Sequence, residues 1–555
     1  MNKEYVSKTG ATTIPMTASK RTQVITILLI IAAALSISLP GAFSSGTLWP
    51  DGKRYTFNGI LLHDMIRDGG IFHPMKYNVM FYAQYPATNL PYGPPFLASV
   101  FAVAFSIFGV SFMTARFVIA IYTICAALMC WHLVYKLNKN YWCSILAVSA
   151  FLFNPLTLEY SRDITPELPY AFFAFLTIYF FYHYVQSERK YFGIFAALAL
   201  GFGFLTKQYI IPLGIALPLY IIIQRKWHIL CKCETWIAVF IAIILIVPYT
   251  KFSVQVNTKM GPGTELPIDS GLLLAYPNAA IKLIPTLTIL AIIGFIIGLI
   301  KKNKLINLCL IWAVCWYVFF TLIFNYLISE KFLFSLVPAM IIPFAFSSHK
   351  IILALKRKHL DKAIIILLIF WFTFSALSKP VFYVRGYEDA GEYIAKNPHG
   401  KSVLFHGVYD GTFMMGIRRH ISKGGPYVLR GDRHLAVRLW FGEEHALPVD
   451  SPVDSPVGSP DWLPKFLNYY QTGYVVVESG MKKEKDFPEY KMLMKALEDT
   501  NLFNEVARFP IRTNYTKRLG TELIAYRFNF NENEKKADTY KFPVPTLWKD
   551  IEVPF

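Results

Sequence analysis

Charge is what this chain has least of. Only 16% of its 555 residues are Asp, Glu, Lys or Arg, whereas 54% are hydrophobic. A soluble domain carries about a quarter charged residues. The shortage excludes a large soluble enzyme. Long uncharged apolar runs recur instead, which is the pattern of a polytopic membrane protein. Acids are scarcer than bases, and the formal net charge is +19. The Lys and Arg fall mostly in short loops between apolar runs, as the positive-inside rule requires, so no nucleic-acid partner is expected. Cysteine is sparse too. The seven cysteines lie mostly inside apolar runs and read as small core residues, not as a disulfide framework. Cys231 and Cys233 flank Lys232, but two thiols do not make a zinc site.

Taken in order, residues 1–21 are Ser/Thr/Lys-rich and read as a disordered cytoplasmic tail. Thr22–Phe43 is the first membrane helix, and Lys20 and Arg21 before it place the N-terminus in the cytoplasm. The run is long for a signal peptide, and Pro40-Gly41 is a poor cleavage site, so it is expected to stay as an anchor. Phe96–Gly109 has only ~14 residues where a span needs ~20, and it is predicted to lie in the outer leaflet. The runs from Phe112–Leu137 to Ala363–Leu377 then alternate. With the first helix they make about eleven spans, which put clusters such as Lys301-Lys302-Asn303-Lys304 on the cytoplasmic side.

The predicted fold is therefore an all-α polytopic membrane domain over residues 22–380, with juxtamembrane helices on its outer face. Its predicted place is the cytoplasmic (inner) membrane. Residues 381–555 are more polar. Ser402–Phe405 and Tyr474–Val477 read as strands, and Tyr387–Lys396 and Tyr490–Asp499 as helices, so a small extracytoplasmic α/β domain is expected there. Pro448–Pro460 is a Pro-Val-Asp-Ser repeat and reads as an extended loop without chemistry.

This parity gathers the charged loops on the outer face. They are the first loop, 46–111, with Asp51; the loop from Glu159 to Glu167; the turn Thr206-Lys207-Gln208; the stretch from Lys251 to Ala280; and Ser329-Glu330-Lys331. Asp51 can accept a proton from a hydroxyl, with Gly52 beside it allowing a sharp backbone turn; it can equally cap a helix over Arg54–Met65. Arg162, Asp163 and Glu167 are held close to hydrocarbon, where charges are functional candidates. Asp163 and Glu167, four apart, could bind a cation, with a divalent cation as the candidate cofactor, or steer a cationic substrate. Lys207 has no acid nearby in sequence and suits a lipid phosphate, or it snorkels; Lys331 is a second such cation, with Glu330 next to it. Tyr55, Tyr77, Tyr82, Tyr85 and Tyr92 read as interfacial belt residues, and also suit stacking on a sugar or lining a polyprenyl groove.

In this order these residues resemble multi-pass glycosyltransferases that use polyprenyl-phosphate sugars: the dolichyl-phosphate-mannose protein mannosyltransferases and the lipid A aminoarabinose transferases. The likeness covers about residues 22–345. It rests on Asp51 with Arg54-Tyr55, Tyr92-Gly93-Pro94-Pro95, Phe108-Gly109-Val110-Ser111 with Ala115-Arg116, and Asn154-Pro155 with Ser161-Arg162-Asp163. Gly203-Phe204-Leu205-Thr206-Lys207 and Glu330-Lys331-Phe332 complete it. The resemblance implies inversion at the anomeric carbon with lipid phosphate leaving. It implies Asp51 as general base or acceptor-orienting carboxylate, Asp163 beside it, and Lys207 on the donor phosphate. Two positions depart from the family. Gly52 stands where a glutamate is often found, and Lys331 where an arginine is common.

The expected function is transfer of a sugar from a polyprenyl-phosphate donor to a protein, lipid or glycan acceptor at the outer membrane face. Asp51 and Asp163 are the catalytic candidates. Lys207, Lys331 and Arg162 are candidates for the donor phosphate, and Glu167, Tyr55 and Tyr92 for the acceptor or a cation. A polyprenyl-lipid flippase and a lipid-binding relative without activity stay open. Transporters usually carry charges at mid-membrane on repeated halves, and neither feature is found here.

Overall fold

The computed structural model describes residues 19–42, 50–88, 93–138, 140–257, 270–324, 329–354, 360–377, 379–436, 451–459, 461–481, 484–514, 519–531, 534, 536–544 and 549–555. Up to Leu377 all regular structure among these residues is helical. Six helices are long and apolar enough to cross a membrane: Lys20–Gly41, Phe112–Asn138, Glu167–Ser187, Cys233–Val254, Lys304–Ile323 and Val337–Ala354. The chain is a multi-pass membrane protein. Two helix pairs reach that length only together, Tyr141–Leu152 with Pro155–Ser161, bent by 62°, and Ser270–Leu283 with Pro285–Ile300, bent by 115°. Length and composition alone support six to eight crossings among the described residues and do not establish the eleven expected. Lys190–Phe204, Gln208–Ile223 and Lys362–Ala376 are apolar but short, as is Pro95–Phe108.

The bends have local causes. The Asn154 side chain accepts from Thr157 N at 2.9 Å and caps the second helix, and Pro155 at its first position has no N–H to continue the preceding one. Pro285 acts in the same way in the other pair. Ser270–Leu283 corrects the reading of this stretch as outer loop, because Pro277 removes one backbone bond and the helix carries through it. Residues 258–269 of that loop lie outside the described residues.

The first loop is also built of helices, Pro50–Arg67 and Pro74–Gln84. Gly52 makes no sharp turn. It sits in the first helical turn, with its carbonyl accepting from Thr56 Oγ1 at 2.8 Å. Asp51 lies in the same turn, where the helix dipole favours a negative charge. Helix Pro50–Arg67 packs on Pro95–Phe108 at Gly59, where a Cβ would come within 2.5 Å of Phe101 Cβ.

The two helices Glu167–Ser187 and Lys190–Phe204 form a hairpin, closed at Glu188 with φ 56°. A hairpin closed at one end brings its other two ends together, and those ends carry Glu167 and Lys207. This is how residues forty positions apart become neighbours.

After residue 381 a five-stranded mixed sheet appears. Its order is Tyr427–Arg430, Ser402–His406, Thr472–Ser479, Glu522–Phe528, Phe503–Pro510, with the first three strands parallel and the last two antiparallel to their neighbours. The helices Tyr387–Lys396 and Pro488–Ala496 stand where helical patterns were read. Glu478 is fully buried in the sheet and accepts from Tyr387 Oη at 2.6 Å, Val408 N at 2.8 Å and Gly520 N at 2.6 Å, so its burial leaves no unmet charge.

This segment docks on the first-loop helices. Arg418 binds Asp64 with both carboxylate oxygens, Lys53 pairs with Asp410, and Tyr82 packs on Phe542 at 5.6 Å between ring centres. Arg67 Nη2 donates to Ser422 O at 3.1 Å, and Gln84 Nε2 to Gly425 O at 2.5 Å. Tyr82 thus serves this docking, whereas Tyr85 is buried within the first loop against Phe57 and Phe81.

Candidate active site

Two elements meet at Asp51. Its own helix supplies Arg54, one turn on, with Nη1 at 3.6 Å from Oδ1. The short helix Glu330–Phe334 supplies Lys331, with Nζ at 3.5 Å from Oδ2. The side chains of Asp51 and Lys331 are 42% and 30% exposed, so this carboxylate is open to a ligand. Partial burial pushes its carboxyl up, but Lys331, then Arg54 and Lys207, hold it below the usual carboxylate range.

Lys207 follows helix Lys190–Phe204, its N–H donating to Gly203 O at 2.8 Å. It is buried, and Nζ donates to Glu167 Oε1 at 3.2 Å and to Tyr55 Oη at 3.4 Å. Nζ also lies 4.4 Å from the Tyr209 ring centre, within cation–π range. Burial alone would pull this ammonium down; Glu167 first, then Tyr209, Tyr55 and Asp51, more than reverse it and hold it well above its usual range. Burial pushes the Tyr55 hydroxyl up to about 12. Beneath Lys207 is an aromatic floor: Tyr209 packs on Phe332 at 4.8 Å and Phe332 on Phe320 at 5.0 Å. Phe320 belongs to a π-helical turn, Phe319–Ile323, a form that often marks functional sites.

Glu167 is buried and its Oε1 accepts from Lys207, while its Oε2 has no partner among the described residues. Tyr55 links this pair to Asp51: it stands one turn farther along the same helix and accepts from Lys207 Nζ.

The structure thus brings together Asp51, Tyr55, Glu167, Lys207 and Lys331. Two candidates have other partners. Arg162 donates to backbone carbonyls, from Nε to Ile37 O at 3.2 Å and from Nη1 to Lys379 O and Pro380 O, each at 3.3 Å. It ties the end of the first membrane helix to the chain leaving the last. The end of that first helix lies so close that a Cβ on Gly41 would come within 2.4 Å of Arg162 O. Asp163 Oδ1 accepts from Ile164 N at 2.8 Å, and its charge acts on the buried Arg116. The Asp163–Glu167 pairing read as a cation site is divided between these partners and Lys207. Among the described residues no three His, Cys, Asp or Glu side chains are grouped as a metal would need. Tyr92 lies outside the described residues.

Tyr209 was not singled out in the sequence. An aromatic residue two positions from a lone buried lysine is the signal that could have found it. Arg54 entered only as a motif partner; its (i, i+3) spacing from Asp51 was the signal.

Known proteins with the same architecture bear on this arrangement. The family model described as dolichyl-phosphate-mannose-protein mannosyltransferase matches residues 92–251. ArnT from Cupriavidus metallidurans, in a crystal structure with undecaprenyl phosphate, superposes with a TM-score of 0.60 at 14% identity, over 91% of this chain and 98% of that one. The chain has the ArnT fold. The apo ArnT structure agrees, with a TM-score of 0.61 at 13% identity. An uncharacterized protein of Aquifex aeolicus is 24% identical over 125 residues, which spans 22% of this chain and about a quarter (24%) of that relative's length. The resemblance read from the sequence, to the superfamily that holds the mannosyltransferases and ArnT, is met by both the family model and the fold. The matched segment contains Glu167 and Lys207, whereas Asp51 and Lys331 lie outside it.

Proposed function

We propose that this protein is an integral membrane glycosyltransferase that moves a sugar from a polyprenyl phosphate to an acceptor hydroxyl, with inversion. The observation that carries the reading is the partly open Asp51 carboxylate, paired with the Lys331 ammonium at 3.5 Å, on the same helix as Tyr55, which the buried Lys207 ammonium reaches at 3.4 Å. Displacing a lipid phosphate leaves negative charge on the leaving group, and a hydroxyl nucleophile must lose a proton. Asp51 takes the proton or orients the hydroxyl. Lys207, held by Glu167 and two tyrosines, and Lys331 take up the phosphate charge. The unpartnered Glu167 Oε2 accepts from a donor or acceptor hydroxyl. ArnT's structure with undecaprenyl phosphate supports a lipid donor of that class. Asp163 and Arg162 shape the loop under the site and do not touch the substrate.

Counting each bent pair as one crossing, and adding Lys190–Phe204, Gln208–Ile223 and Lys362–Ala376, gives the eleven crossings expected, with Pro95–Phe108 lying along the surface. On this count the Asp51 side and the segment 381–555 face outward from the cytoplasmic membrane, away from the basic loops.

Purified protein incubated with a panel of polyprenyl-phosphate sugars is expected to release free polyprenyl phosphate and glycosylate an acceptor. Tight lipid binding with no turnover on any donor would leave a lipid-binding protein and sink the transferase reading.

A further inference from the structure

Helix Pro50–Arg67 starts at the site, and Pro95–Phe108 starts nearby. Lys207 reaches Tyr55 of the first, and Phe96 N of the second donates to Leu205 O at 3.0 Å. Farther along, Gly59 packs on Phe101 and Phe105. The two helices therefore run side by side in the same direction, and their far ends lie together.

Those far ends are apolar and, among the described residues, uncovered. Ile66 is 63% exposed, Phe72 81% and Met75 56%, and on the neighbouring helix Ile107 is 67% and Phe108 76% exposed. Backbone geometry presents the tip outward. Gly69 takes φ 72°, the turn Gly70–Phe72 follows, and Pro74 starts the next helix. An outward-facing apolar group of this size marks an interaction surface.

We propose that this tip, Ile66–Met75 with Ile107 and Phe108, is seated among the acyl chains of the leaflet on the Asp51 side. Continuity names the occupant. Gly109 joins Phe108 to the span Phe112–Asn138, whose Met113, Phe117 and Ile121 are 45%, 37% and 59% exposed. The lipid-facing belt of that span thus runs through Phe108 onto the tip. Cationic side chains border it: Arg67, which also binds Asp68 at 2.9 Å, and the exposed Lys76 suit the headgroup level. Seated so, the tip holds the helix that carries Asp51 at a set depth against the bilayer from which a lipid substrate would come.

The test is a spin label at Phe72→Cys, with the exposed thiols Cys231 and Cys233 changed to Ser, in the full chain in phosphatidylcholine nanodiscs. Oxygen concentrates in acyl chains and a neutral nickel chelate stays in water. Collisions with oxygen are expected to exceed those with nickel, as at Ile121→Cys, whereas Lys423→Cys should show the reverse. Nickel access at position 72 equal to that at 423 would overturn the proposal. Shielding from both reagents would also overturn it, by showing a second copy or another protein on the tip. Met75→Cys gives the same reading if Phe72→Cys expresses poorly.

Discussion

The helix Pro50–Arg67 carries two charge clusters built on opposite terms. At its start, Asp51 meets Lys331 and Arg54 at 3.5 and 3.6 Å, with 42% of its side chain exposed. At its far end, Asp64 and Arg418 are each only 4% exposed and joined by two hydrogen bonds, one of them 3.0 Å from Nε to Oδ2. A buried pair saturated in this way can only hold two segments together; it has no valence left for a ligand. The Asp51 cluster is looser and partly open, with two cations about one carboxylate, and beside it the buried Glu167–Lys207 pair leaves Glu167 Oε2 without a partner among the described residues; together they are fit to receive an anion and a hydroxyl. Spacing and exposure, not charge type, separate the two.

The comparison breaks most sharply at Asp51. Asp51→Asn should lower transfer by about 10²–10⁴-fold, the usual worth of a general base, while the melting temperature stays put. Wild-type turnover in an assay with labelled donor would remove Asp51 from that role. At the other cluster the pattern should invert. Asp64→Ala leaves Arg418 buried and unpaired, and should cost about 3–5 kcal/mol of stability. Thermal melting in detergent and protease access to residues 381–555 would read this; an unchanged melting curve would mean the pair is not a clamp.

Lys207→Ala should weaken donor use by about 10-fold or more, the worth of a hydrogen bond to a charged group, chiefly in the donor KM. An equal loss with kcat alone affected would move Lys207 from binding to the transition state. The smallest effect should be on pH dependence. Asp51 is held ionised below the usual carboxylate range, so activity persists as pH falls and is lost only through that lowered pKa. Lys331→Ala removes the largest of the groups that lower it, and the acid limb of kcat/KM should move to higher pH. A limb that stays where it was would separate Lys331 from Asp51.

Part of the site was legible beforehand. Glu167 and Lys207 follow from hairpin parity, because two apolar runs joined by a short polar turn must return to the same face. Asp51 was visible as a lone acid just past a membrane helix. Arg162 was misleading for a clear reason. A guanidinium near hydrocarbon can satisfy itself on phosphate or on backbone carbonyls, and only coordinates show that Ile37, Lys379 and Pro380 take it. Lys53–Asp410 and Asp64–Arg418 join residues 357 and 354 positions apart, beyond the reach of any local pattern. The first loop's tyrosines looked interfacial, but Tyr82 and Tyr85 pack against protein.

Composition and the spacing of apolar runs were enough to determine that this chain lives in a bilayer, roughly where its main apolar helices lie, and which charges sit near their ends. These are local matters: hydrocarbon rejects charge, and a helix needs a set length to cross it. Which charges meet was decided by the tertiary structure alone. Packing sets the distances between helices, and a difference of about one ångström separates a saturated ion pair from a site that waits for its ligand.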